Sequence, residues 1–407
     1  MILFAAAAVL LVISGIALLF SPFWGIIITF VAKPVIDTTW GAAFGGFKLL
    51  DVVGIMFPTL LLPRVLSSSE LTGPPLRIRR LAYVYLASQT LGSLSLAFAG
   101  NFPMFAEVWF RSINGFLGFF LFSQFFRDAQ GFKRLLIALI VAGLFPLFMG
   151  VYQNATGVMW REAMTVGLMR QIGLYHDAVS LRFFGLQSIA SVLLYWSRVG
   201  VQKRVLDIAL AAYVVGWIYV IFNLFSKAAV AILILWAATW LLLNRKVSYL
   251  IAAVLLVAVL TVSFGGPVLD TWNTLFSKEL AYVSGDEEDA RRLFAGRGYT
   301  WEYAWQTYST LDAGSQLLGT GEMRGFHNEF LRVLYMNGAV GLCCFLAVLI
   351  YVGATLADSA FRRRSPLHIV ALMVFQWYLV DCMGLHPGWY PAYQWFAWGI
   401  VGLALSS

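Results

Sequence analysis

Apolar runs of bilayer-crossing length dominate this chain and decide most of how it can fold. A hydrocarbon core takes roughly 17–25 apolar residues per helix. Runs of about that order occupy residues 2–20, 46–62, 81–99, 104–125, 135–151, 181–196, 205–224, 228–243, 247–264, 329–357, 367–385 and 389–405. The expectation is an all-α, polytopic membrane protein of about twelve transmembrane helices. Residues 24–32 are too short to cross at about 1.5 Å per residue and are expected to be interfacial or re-entrant. The runs divide the chain into N-terminal transmembrane helices (1–264), an outer loop (265–326) and C-terminal transmembrane helices (327–407).

Composition supports this class: 60% of residues are hydrophobic and 12% charged, against roughly 25% charged in soluble domains. The net charge of +8 comes from basic clusters in alternate loops. These are Arg64 with Arg77, Arg79 and Arg80; Arg127 with Lys133 and Arg134; Arg198 with Lys203 and Arg204; Arg245 with Lys246; and Arg362 to Arg364. By the positive-inside rule those loops face the cytosol, so 265–326, 152–180 and the Ser226-Lys227 turn face outward and both termini are cytosolic. Topology and anionic lipid headgroups account for the charge without nucleic acid. The first apolar run has no basic start and no small-residue cleavage site, so it is expected to be a retained span.

Several chemistries lack a signature. Cys343, Cys344 and Cys382 all lie in expected spans, which disfavours a disulfide framework or a zinc site. No Walker loop, dinucleotide fingerprint, H-E-x-x-H or EF-hand run occurs, so no cofactor and no metal is expected.

The outer loop carries the chemistry-bearing residues. An acidic stretch, Asp286 to Asp289, precedes Arg291 and Arg292. Arg297, Trp301, Ala304, Trp305 and Tyr308 then follow at spacings of three and four, one face of a helix with an aromatic stripe. Arg297 stands at the start of that helix, where free N–H groups and the macrodipole favour an anion; a snorkelling interfacial arginine is the alternative. Gly319-Thr320-Gly321 reads as a tight turn that returns the chain to the membrane at His327 and Asn328. A water-accessible histidine there keeps a pKa near about 6.5 and serves as a base near neutrality, or it only caps the next helix. Glu329 and Arg332, and likewise Glu107 and Arg111, are spaced to pair along one helix face. Arg324 is a further candidate cation, and Asp381 with His386 forms a second, weaker candidate site.

These residues resemble a known family. His327-Asn328, nine intervening residues, then Gly338-Ala339-Val340-Gly341 fits the H-N-x9-G-x-x-G pattern of the O-antigen ligase and O-antigen polymerase superfamily. Gly296-Arg297 with Trp301 is similar to its G-R-x-x-x-W element, and Arg170 to Gly173, before Tyr175-His176-Asp177, resembles its R-x-x-G segment. Phe225-Ser226-Lys227-Ala228 stands in place of its T-x-S-R-x-A element, with lysine where the family has arginine. A compact ammonium thus replaces a bidentate fork, a fork that Arg170 or Arg182 is placed to supply. The resemblance covers residues 170–341; outside it only hydropathy and span number agree.

The resemblance implies a GT-C-like enzyme of the bacterial inner membrane with its site facing the periplasm. Its donor is an undecaprenyl-diphosphate-linked glycan, transferred with inversion and without metal to a hydroxyl of an acceptor glycan. Arg297, Lys227 and Arg170 would stabilise the diphosphate leaving group, and His327 would orient or deprotonate the acceptor hydroxyl with Asn328 beside it. Trp301, Trp305, Trp389, Tyr390 and Tyr393 either bind sugar faces or belt the interface. Other polysaccharide-assembly proteins are the implied protein partners. The polymerase branch is expected over the ligase on two grounds: the short separation of Arg297 and His327, and Lys227. Two lipid-diphosphate substrates call for two cationic clusters, with Arg170 and Arg182 as the second. A lipid-linked glycan flippase or transporter is the alternative from another class; it would show inverted repeats or helices broken at matching depths, which the sequence does not. A scaffold of an export machine, docking through the outer loop, is the third.

Overall fold

The structure is a computed structural model and describes residues 2–44, 47–67, 76–165, 167–199, 204–244 and 270–407. It is mostly helical. In a bilayer every backbone N–H and C=O must be satisfied within the protein, and helices meet that demand one segment at a time. Among the described residues seven helices are long and apolar enough to cross: Ile2–Phe20, Leu49–Ser67, Ala129–Thr156, Ala178–Ser197, Arg204–Phe222, Glu329–Arg363 and Pro366–Gly384. The chain is thus an all-α protein of multi-pass membrane character. The expected span 247–264, together with Lys203, Arg245 and Lys246, lies outside the described residues.

Several expected spans are built differently. Residues 24–32, expected to be interfacial or re-entrant, belong to the helix Pro22–Asp37, which buries nine residues including Ile26, Phe30 and Ile36. Its polar pair, Lys33 with Asp37, neutralises itself across one turn, which removes the obstacle that shortened the apolar run. The expected span 81–99 divides into Leu76–Thr90 and Ser93–Phe98. The span expected at 135–151 bends at Gly143, between Ala129–Ala142 and Leu144–Thr156.

The central packing is between Phe102–Phe125 and Pro391–Ser406. Small residues let the two backbones meet, as in many membrane helix pairs. A Cβ on Gly402 would lie 2.1 Å from the Phe119 carbonyl oxygen, and one on Gly118 would lie 2.5 Å from that of Gln394. Aromatic side chains fill the flanks: Phe57 stacks on Trp395 at 3.8 Å between ring centres and Phe119 on Trp398 at 4.5 Å. Three buried polar side chains of this layer find partners, as burial demands. Tyr85 Oη donates to Gln394 Oε1 at 2.9 Å, Trp398 Nε1 donates to the same oxygen at 2.7 Å, and Trp395 Nε1 donates to Asn114 Oδ1 at 2.7 Å.

The helix Glu329–Arg363 is kinked at Gly338, whose φ of 68° lies in the left-handed region that glycine tolerates. The kink releases the carbonyls of Tyr335 and Met336, which accept from Thr320 N at 3.1 Å and Gly321 N at 2.9 Å. Gly319-Thr320-Gly321 therefore does not close a tight turn on itself; it lies against the kink. The fit is close: a Cβ on Gly338 would sit 2.2 Å from the Leu317 oxygen, and one on Gly319 would sit 2.2 Å from the Met336 oxygen. The helix break at Gly92 meets the same place, where Gly92 N donates to Asn337 Oδ1 at 3.0 Å.

Candidate active site

The segment that follows residue 270 includes the helices Ser277–Ser284, Leu293–Ser309 and Ala313–Leu318. Phe294 (φ 53°) and Gly296 (φ 80°) are left-handed, so uninterrupted right-handed helix begins at Arg297, as expected from the sequence. Ala304 packs with Phe326 and Tyr335 and ties this helix to the start of Glu329–Arg363. The acidic stretch occupies the neighbouring arginines: Arg292 pairs with Glu287 at 2.7 Å, and Arg291 with Asp289 at 2.8 Å and Glu302 at 3.2 Å. Arg297 forms no ion pair or hydrogen bond among the described residues. Its guanidinium lies against Gly384, where an added Cβ would fall 2.4 Å from Nη1.

Arg182 reaches the same place from the helix Ala178–Val199. It is buried, pairs with Asp381 and donates from Nη1 to Ser226 Oγ at 3.1 Å. Trp377 Nε1 donates to the other Asp381 oxygen at 2.7 Å. Arg170 follows the short hairpin Met164–Thr165 and Leu168–Met169. It donates from Nε to the Leu224 carbonyl at 2.9 Å and from Nη2 to that of Phe225 at 3.4 Å, so it is fixed to the backbone that leads into Ser226. Phe225 is held at φ 46°, a strained position for a residue with a side chain.

Electrostatics bind the three guanidinium groups into one cluster. Burial pulls Arg170 below its ordinary range, and the like charges of Arg182 and Arg297 add to that, with Asp177 opposing. Burial and Arg182 do the same to Arg297, with Asp381 opposing. Arginine stays charged in proteins. Three crowded cations with Asp381 already given to Arg182 therefore leave a net positive, partly desolvated cluster suited to a multivalent anion.

Two histidines border it. His327, at a left-handed φ of 51°, is exposed. Desolvation of its ring and then the charge of Arg297 lower its pKa below the ordinary 6.5; the expectation of an unperturbed value is corrected in the direction that keeps it neutral and able to accept a proton. His386 lies 5.7 Å from it between ring centres and stacks on Trp389 at 4.6 Å. It is 5% exposed and its Nε2 has no hydrogen-bond partner among the described residues. Burial, then Arg332, His327 and Arg297, drop its pKa to about 3.

Other expectations are redistributed. Asp381 and His386 do not make a second site, because the loop after Pro366–Gly384 folds into the first one. Lys227 is spent on Glu279 at 2.5 Å, which also accepts from Phe294 N at 3.0 Å, so it braces the outer segment beside the cluster. Arg324 pairs with Glu322 at 3.3 Å and lies over Tyr335, away from the pocket. Asn328 caps the helix Glu329–Arg363, accepting from Leu331 N at 3.1 Å. Trp301 is half-buried and stacks on Phe294 at 5.9 Å, with its indole N–H unpartnered. The expected pairs form: Glu329 with Arg332 at 2.6 Å and Glu107 with Arg111 at 2.8 Å. No protein-family model matches the sequence, and no curated protein matches it.

Proposed function

We propose that this chain transfers a glycan from a polyprenyl-diphosphate carrier to the hydroxyl of an acceptor sugar at the outer face of the bacterial inner membrane. The observation that carries the reading is the convergence of Arg170, Arg182 and Arg297 beside a histidine whose lowered pKa keeps it neutral. In the proposed reaction the acceptor oxygen attacks the anomeric carbon as the carbon–oxygen bond to the diphosphate breaks. The diphosphate leaves toward Arg297 and Arg170, whose fixed charges need no reorganisation. The acceptor proton passes to His327, which suits a base near neutral pH. About twelve crossings in a GT-C-like arrangement complete the proposal.

Within this reading the chain extends a polymer on its carrier. The Arg170 and Arg182 pair joins Arg297 in one cluster, so the branch is decided by product and not by counting cationic sites. Purified protein given a labelled undecaprenyl-diphosphate oligosaccharide should lengthen it and release undecaprenyl diphosphate. A finished chain that moves only to a lipid A core would identify a ligase. The breaks at Gly92 and Gly338, which meet in space, are the one feature that a transporter also uses; passage of the carrier across a vesicle with no covalent product would favour that reading and reject transfer.

A further inference from the structure

A polar cavity lies toward the other end of the helix Pro366–Gly384 from Asp381. It has a volume of about 220 Å³, and its walls include Arg77, Thr355, Ser359, Arg363, His368 and Ser406. Along the helix Pro366–Gly384, His368 is thirteen residues from Asp381, roughly 20 Å at the helical rise, so the cavity is separate from the site above.

Its lining has one sign. Arg77 and Arg363 are exposed, and among the described residues they form no ion pair and no Asp or Glu side chain lines the walls. Asp358, the carboxylate next to Ser359, is held by Arg362 at 2.5 Å. Thr355 and Ser406 donate to carbonyls of their own helices at 2.8 Å and 2.6 Å, whereas the Ser359 hydroxyl has no hydrogen-bond partner among the described residues. His368, 4% exposed, sits in the first turn of its helix, where the positive end of the dipole adds to the same potential. Two free guanidinium forks, a free hydroxyl and a helix start form a recognition set for tetrahedral phosphate oxygens.

Size and position narrow the ligand. The volume falls below the roughly 300–1,000 Å³ of a whole-ligand pocket, which suits a headgroup-sized fragment. One turn deeper on the face of Thr355, Tyr351 is 40% exposed, so an acyl chain has an apolar path away from the cavity. Basic pockets between helices on the cytosolic side take anionic headgroups by this chemistry.

We propose that this cavity binds a phosphate group, supplied by an anionic phospholipid of the cytosolic leaflet or by free phosphate. The probes are phosphatidylglycerol and inorganic phosphate, and the readouts are lipid retained on the full chain in native mass spectrometry and the melting temperature in phosphatidylcholine discs. The double variant Arg77→Gln/Arg363→Gln and the single variant Ser359→Asp, which introduces a carboxylate, should each bind at least tenfold more weakly. Arg79→Gln/Arg364→Gln removes as much charge from the same end, leaves Asp358 paired with Arg362 and should bind as the parent does. Selective loss of phosphatidylglycerol assigns the lipid source. A melting shift with inorganic phosphate alone, absent in both cavity variants, assigns the free anion. Equal binding by parent and cavity variants, or an equal loss in the control pair, overturns the proposal.

Discussion

Among the described residues the guanidinium of Arg297 has no ion pair or hydrogen bond, while Arg182 and Arg170 are held by Asp381 and by backbone carbonyls. Arg297→Ala should therefore lower turnover by roughly 10²–10³, the scale for a lost charge-stabilising donor, with expression unchanged. Arg297→Lys should still lose most activity because the planar fork is gone. Normal glycan output from either variant, measured with the labelled carrier, rejects the anion site. Gly384→Ala tests the same contact from the other side, since its methyl group displaces the flexible end of Arg297 and leaves the backbone in place. It should retain the parent melting temperature and lose activity. His386 gives a prediction in pH. Its folded pKa of about 3 lies below the ordinary 6.5, so between those values the unfolded chain binds more protons and stability rises with pH. Going from pH 6.5 to pH 5 should cost on the order of 2 kcal/mol. His386→Gln should flatten that part of the melting profile, and an unchanged slope would contradict the assignment.

At the scale of elements, the kink at Gly338 and its docked segment explain why a glycine stands ten residues after Asn328. Gly338→Ala would place a methyl group 2.2 Å from the Leu317 oxygen and force a left-handed φ on alanine. It should cost several kcal/mol, on the scale of overpacking plus strain, and should also misplace His327. A variant that melts and turns over like the parent would remove this role. The Leu293–Ser309 helix, the position of Arg297 at its regular start and the Glu329 with Arg332 pair were all legible in spacing alone. The joining of His386 and Asp381 to Arg297 was not, because it depends on three helix ends that meet only in the packed bundle. The diversion of Lys227 to Glu279 was hidden for a similar reason. Fifty-two residues separate them, and a motif position does not reveal a carboxylate brought from elsewhere. The breaks at Gly92 and Gly143 escaped hydropathy because apolar residues continue on both sides.

For the molecule as a whole, orientation is the property that sequence states and helix packing leaves open. Cysteines placed at Ser284 and Ser315, with Cys343, Cys344 and Cys382 replaced, should react with a membrane-impermeant thiol reagent in cells with a permeabilised outer envelope. One at Ser365 should stay unlabelled. Labelling at Ser365 alone inverts the topology and moves the phosphate cavity to the outer leaflet. The pair formed by Arg182 and Asp381 also has a consequence in time. Its members are 199 residues apart, so at roughly 5–20 residues per second the ribosome needs about 10–40 s to supply the carboxylate after the arginine. Over that interval the nascent helix carries an uncompensated charge, which keeps it near the translocon or the headgroup layer until its partner emerges. A chain halted before residue 381 is thus left with a helix that cannot settle in lipid, a ready mark for membrane quality control.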